Sequence, residues 1–229
     1  MKVSLTILPL LPSVVLAFSS INVKPTPVAT LDEAALLAQS KFPIAPADLI
    51  QKAKEVLGPD TAIGTVDNGE CLADDFEFCA PVIGPIGKTE FLDSLAGFKL
   101  TDSFDINNQF FGFLVDPLQT NRVWFFSRVE SVHKAPFMGA QPTGKKLILP
   151  PQVLHLDFSE DGKIKEFGFY TVDRRIGNTG GLGGAFAYFY GVGKALPFPE
   201  CQPYKPSKRL RLFSAVGRLL TKLKKSKSS

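Results

Sequence analysis

Three cysteines and two histidines are all the thiol and imidazole ligands that this chain of 229 residues offers a metal or a redox centre. Cys71, Cys79 and Cys201 form no Cys-x-x-Cys pair and have no histidine at ligand spacing, so neither a zinc site nor a disulfide framework is indicated. No metal is expected, and reduced thiols suit a reducing compartment. Nucleotide motifs are missing as well. The glycine run at 180–184, GGLGG, is followed by no Lys-Ser or Lys-Thr pair and belongs to no βαβ pattern, which argues against a P-loop and a dinucleotide fold. No motif calls for nicotinamide, flavin or haem, so no cofactor is expected. Tryptophan occurs once against twenty phenylalanines, a balance that suits either a core packed with Phe or an apolar cavity. Acid is absent from residues 205–229, which hold nine Lys or Arg; the first 204 residues carry 17 basic and 22 acidic side chains, so the net +4 comes from the tail.

What is present begins with an apolar stretch, Val3 to Leu16, behind a single Lys2. It is too short for a permanent membrane span and reads as a signal peptide over residues 1–17. Phe18 follows, then SSINVKPTPVAT, rich in hydroxyls and free of acid before Asp32. This arrangement resembles the two-part presequence of proteins sent to plastids of the secondary red type. The resemblance implies a transit segment over 18–45 and a final address in the plastid, in the stroma or at the thylakoid surface.

The body opens with helical patterns. Residues 31–41 read as a helix or as part of the transit segment. Pro46 to Leu57 has Pro in the first turn, Leu49, Ile50, Ala53 and Leu57 at helical spacing, and Gly58-Pro59 as a stop. Residues 68–79 make a short amphipathic piece with Leu72, Phe76 and Cys79, PVIGPIG reads as a loop, and KTEFLDSL from Lys88 begins a further helix. From Phe104 the period changes to two. Strand patterns run through FDINNQFFGFLVD, through Arg122 to Lys134, through Leu147 to Phe158 and through Ile164 to Asp173. The last two are joined by SEDGK, whose Asp-Gly pair predicts a hairpin. Helices first and strands afterwards define an α+β protein.

The order of LADDFEF, P-x-G-K-x-E-F-L, V-W-F-x-x-R ending in Val132-His133, PTGKKL, DGKI and a final strand reaching Asp173 resembles the SnoaL-like polyketide cyclases of the nuclear transport factor 2-like superfamily. The likeness covers roughly residues 46–174. It implies a cone-shaped fold over 46–175, N-terminal helices on a strongly curved antiparallel sheet with a pocket at its open end, and allows a homodimer. It also implies a carboxylate near the end of the last strand as general acid or base. Here that is Asp173, which shares a strand face with Phe167, Phe169 and Thr171. Apolar walls raise a carboxyl pKa toward neutrality, which is what such a role requires. The family pattern commonly has an aromatic four residues, and Asp eight residues, after the Ile of GKI, whereas this chain has Gly168 and Val172 there. Asp173 therefore has two other fates open to it, a pair with Arg174 or Arg175, or a cap on the next turn.

His133 is the supporting candidate, as a neutral imidazole that polarises a carbonyl or as a strand-end histidine bonded to backbone. Trp124 and Arg128 share a parity and could meet a ligand, as could Phe167, Phe169 and Tyr170. His155 is expected to face outward. Residues 176–204, rich in Gly and aromatics, are expected to pack on the sheet or to lid the cone. The 205–229 tail places Leu212, Phe213, Val216, Leu219, Leu220 and Leu223 at helical spacing among basic residues. It reads as an amphipathic helix suited to an anionic membrane surface through residues 207–229, with a solvated tail or a helix docked on the domain as alternatives. An acidic body without a nucleic-acid module argues against nucleic acid. Two function classes follow: a plastid protein that binds an apolar terpenoid, pigment or lipid-derived molecule, with isomerase, cyclase or hydrolase chemistry in prospect, or a non-catalytic binding or assembly module held at the thylakoid surface.

Overall fold

The computed structural model describes residues 30–98 and 100–227. The signal peptide expected from the sequence, residues 1–17, and residues 18–29 of the expected transit segment lie outside these residues.

Two helices, α1 (Glu33–Ala38) and α2 (Pro46–Val56), precede the first strand. Proline starts α2 where an amide donor is dispensable, Lys54 sits in its last turn, and Leu49, Ala53 and Val56 make the buried stripe that its spacing dictates. Then come β1 (Leu72–Ala80), β2 (Ile83–Gly87), α3 (Lys88–Phe98), α4 (Leu100–Ser103), β3 (Phe104–Asn107), β4 (Phe111–Val115), β5 (Arg122–Ser127), β6 (Glu130–His133), β7 (Lys146–Ile148), β8 (Gln152–Phe158) and β9 (Ile164–Thr171). Two more helices follow, α5 (Gly184–Gly191) and α6 (Lys208–Lys227).

The architecture is α+β, helices against a large sheet of order β2-β1-β9-β8-β5-β4, with a second sheet β3-β6-β7. All pairs are antiparallel except β1 with β9, which run parallel, so the main sheet is mixed. The piece at 68–79 is strand from Leu72, not helix: Leu72, Phe76 and Phe78 all join the core, the two phenylalanines on one face at period two. PVIGPIG supplies β2, an edge strand, where a proline is tolerated.

Three of the four strand patterns of the sequence each become two strands, and the last stays whole as β9. The three break side by side, at 108–110, at Arg128-Val129 and at Leu149-Pro150-Pro151, and turn from the main sheet into the second. The breaks stay tied together: Arg128 N–H donates to Asn108 O at 3.2 Å, and Leu149 N–H to Val129 O at 3.0 Å. Two consecutive prolines cannot continue a ladder, so the bend is written at Pro150-Pro151. The predicted hairpin forms, with Gly162 at φ +83° and Ser159 N–H donating to Lys163 O at 2.8 Å.

Each sheet has its own core. Leu49, Ala53, Val56 and Phe91 cover Leu72, Phe76, Val123, Phe125, Leu154, Leu156, Ile164 and Phe167 on the inner face of the main sheet. The second sheet packs Phe104, Val129, Leu147 and Leu149 against Ala187, Tyr188 and Phe189 of α5. The lysines of PTGKK serve this second core: Lys145 Nζ donates to Gly191 O at the end of α5 (2.7 Å), and Lys146 pairs with Glu130 (2.7 Å). Asn178 then fastens the extension to β7 through Ile148 N–H and Lys146 O, both at 2.9 Å.

Candidate functional site

Alternation in β5, β8 and β9 sends Val123, Phe125, Leu154, Leu156, Phe167 and Phe169 to the inner face and Arg122, Trp124, His155, Asp157, Glu166 and Tyr170 to the outer one. The residues expected to line one ligand site are thereby divided by the sheet. Phe167 and Phe169 lie inside. Trp124 and Tyr170 lie outside, and Arg128 is exposed at the β5–β6 break.

On the inner face the phenylalanines meet one another. Phe76, Phe78, Phe91, Phe167 and Phe169 form a chain of rings with centroids 5.1–6.3 Å apart, while Phe113 stacks on Phe125 and Phe110 meets it edge-on. Of the two uses for so many Phe side chains, core packing is the one seen here. Phe78 and Phe169 are half-buried at the end of this row, and the backbone of Gly183 and Gly184 closes on Phe169, where a Cβ on Gly184 would meet the ring at 2.6 Å. Two shallow open grooves, one along α6 and one between β1 and the β8–β9 turn, lie away from this face.

Asp173 follows the end of β9 and belongs to an ion pair. Arg175 donates its backbone N–H (3.0 Å), Nε (2.9 Å) and Nη2 (2.8 Å) to the carboxylate. Those bonds hold its pKa down at about 2. The apolar surroundings and raised pKa expected for a general base are replaced by the pair with Arg175, one of the two other fates open to it. A carboxylate so held is ionised and already engaged at neutral pH. His133 sits in the second core, fully buried, stacked on Phe104 at 5.0 Å, with Nδ1 3.2 Å from Thr143 Oγ1 and no partner at Nε2. Buried Ser131 shares its face, beside Tyr188, whose phenol pKa burial pushes up.

The outer face holds an arrangement that sequence reasoning missed. Cross-strand pairing sets Arg122, Asp157 and Glu166 in one row across β5, β8 and β9, and Trp124, His155 and Gly168 in the next. Arg122 forks onto Asp157, with Nη2 2.7 Å from Oδ2, and reaches Glu166 at 3.3 Å; Gln119 adds a bond to Asp157 at 2.7 Å. Glu166 in turn lies 2.6 Å from His155 Nε2. The pair with Asp157 raises the pKa of Arg122 against its burial. Burial lowers the pKa of His155 against the pull of Glu166, so at neutral pH the ring is neutral, with Nε2–H donating and Nδ1 unpartnered. Trp124 packs on His155 at 5.0 Å and donates its indole N–H to Asp116 at 2.9 Å, Tyr170 stacks on the ring at 6.0 Å, and the Arg122 guanidinium lies 5.2 Å over Trp124. His155, whose outward position the sequence suggests, lies on the outer face yet is wholly buried beneath these groups. This network ties three strands together and is roofed by Trp124 and Tyr170. The signal for it was the polar spacing His155-x-Asp157 and Glu166-x-Gly168 across a hairpin whose register the DG turn fixes. The His155 ring fills the space above Gly168 from the neighbouring strand, where a Cβ would lie 2.3 Å from His155 Cε1.

The last helix has a different character. At about 100° per residue, Leu212, Phe213, Val216, Leu219 and Leu220 fall within one stripe of roughly 120°, opposite Arg211, Arg218 and Lys222. The whole stripe faces solvent, with Leu212 67% and Phe213 69% exposed. No helix among the described residues is long and apolar enough to cross a membrane.

The chain thus folds as helices on a bent mixed sheet. Solved structures similar to it include a SnoaL-like polyketide cyclase named from Jannaschia, at 14% identity and TM-score 0.45, covering 69% of this chain and 98% of that one. AclR of Streptomyces galilaeus, named a hydroxylase, has 17% identity and TM-score 0.42 over 80% of this chain and 96% of its own. An LEH-like epoxide hydrolase of M. tuberculosis has 11% identity and TM-score 0.42, covering 56% and 84%. No protein-family model and no curated protein matches the chain. At such identities no residue's role passes from those proteins to this one.

Proposed function

We propose that this chain is a binding module that docks on an anionic membrane surface through α6. One observation carries the reading: a helix of twenty residues with eight Lys or Arg and no acid keeps its apolar stripe in solvent. Burying that stripe at the headgroup boundary recovers the hydrophobic free energy that exposure forgoes, and the cations add attraction to anionic lipid. The full-length chain is expected to sediment with vesicles containing about 30 mol% anionic phospholipid, and less so as salt rises. Deleting residues 207–229 should abolish sedimentation; a truncated chain that binds equally well removes α6 from the account.

A second reading, an apolar small molecule held on the inner face, is favoured by half-buried Phe78 and Phe169 at the end of the phenylalanine row. It is tested by native mass spectrometry after exposure to a plastid lipid and pigment extract. A discrete bound mass supports it, and an unliganded spectrum discards it. Proton transfer by Asp173 forms no part of either reading, because Arg175 already engages that carboxylate. The plastid address, with the thylakoid as the membrane, and the homodimer belong to the same proposal. A reporter fused to residues 1–45 and sedimentation equilibrium test them directly.

A further inference from the structure

The stretch from Arg211 to Thr221 contains the same four-residue pattern twice, seven residues apart: Arg211-Leu212-Phe213-Ser214 and Arg218-Leu219-Leu220-Thr221. Seven residues is close to two helical turns, so both hydroxyls fall on one face of α6, away from the apolar stripe. Each has a guanidinium three residues before it and a cation four residues after it, Arg218 following Ser214 and Lys225 following Thr221. Ser214 is half-buried in the open groove lined by Leu210, Arg211, Ala215 and Arg218, and Thr221 is exposed with its Oγ1 on Gly217 O at 2.9 Å. Arg128 and Ser131 repeat the spacing elsewhere, but Ser131 is sealed in the second core at 2% exposure. Only the two hydroxyls on α6 combine the Arg pattern with access.

We propose that Ser214 and Thr221 are acceptors for an arginine-directed protein kinase, and that their phosphorylation releases α6 from the membrane surface. The regulatory half rests on the docking reading above. Most helical stability in proteins comes from tertiary packing of an apolar face, and α6 keeps that face in solvent, so off the membrane it opens often enough to enter a kinase cleft. In each transfer the side-chain oxygen forms a bond to the γ-phosphorus of a nucleoside triphosphate. The bond from that phosphorus to the β-bridging oxygen breaks, the nucleoside diphosphate leaves, and the hydroxyl proton passes to a base of the kinase. Each phosphate brings about −1.5 to −2 charge and sits between cations at i−3 and i+4, which it pairs and withdraws from lipid. Two of them offset roughly half of the helix's positive charge.

The test uses the full-length chain, a purified arginine-directed serine/threonine kinase and magnesium ATP. Intact and tandem mass spectrometry should find phosphate on Ser214 and Thr221, and none at these sites in the Ser214→Ala/Thr221→Ala variant. Binding to the anionic vesicles should fall at least tenfold on phosphorylation of the wild-type chain and in Ser214→Asp/Thr221→Asp, while the double-alanine variant keeps full binding. Phosphate found only elsewhere, for example on Ser226, overturns the assignment, and modification of both sites without loss of binding overturns the release. An unmodified chain that ignores the vesicles defeats the docking reading alone, since phosphate mapping judges the acceptor sites without any membrane.

Discussion

Arg122→Leu is expected to lower the free energy of unfolding by about 3–5 kcal/mol, the cost of leaving a buried charge without its partner. Asp157 is only 6% exposed and takes the guanidinium fork, while Glu166 stands directly across from it on β9. Without Arg122 two carboxylates face each other across neighbouring strands, and Gln119 supplies the one remaining donor to Asp157. Leucine contributes apolar contact with Trp124, worth a fraction of what is lost. Arg122→Leu combined with Asp157→Leu should recover much of the stability, because removing both charges removes the unpaired one. Urea denaturation of the two variants decides the matter: a single substitution costing under about 1 kcal/mol would show the row to be solvated and dispensable.

Gly168→Ala should be as damaging, against the direction that chain entropy alone dictates. In an unstrained strand, alanine for glycine stabilises by about 0.4–1 kcal/mol. Here its Cβ would lie 2.3 Å from His155 Cε1 and 2.8 Å from the backbone oxygen of Cys79 on β1. The imidazole crosses Gly168 to reach Glu166, and β1 closes from the other side, so relief requires either breaking the His155–Glu166 bond or parting β1 from β9. Losing a buried bond to a charged group and straining the ladder together cost about 3 kcal/mol or more. His155→Ala placed with Gly168→Ala makes room for the methyl, so the pair should be at least 1 kcal/mol more stable than the sum of the single changes. Additive effects would mean that the ring and the glycine do not confront each other.

Local signals in the sequence accounted for much of the architecture. The spacing of Leu49, Ile50, Ala53 and Leu57, the DG turn and the change of period at Phe104 act within a few residues, and they alone specify helix α2, the β8–β9 hairpin and an α+β chain. The amphipathic character of α6 was legible for the same reason, since its stripe repeats every turn. Tertiary structure decided the rest. Whether a strand pattern is one strand or two depends on where a neighbour breaks, and three patterns broke together at one bend. Parity tells which residues share a face but not which face is covered, so Trp124 and Tyr170 came to roof His155 while Phe167 and Phe169 entered the core. Asp173 had Arg175 two residues away in the sequence, yet only the fold at the end of β9 chose that pair over an apolar wall. Burial and cross-strand register join residues far apart in the chain, and no local pattern encodes them.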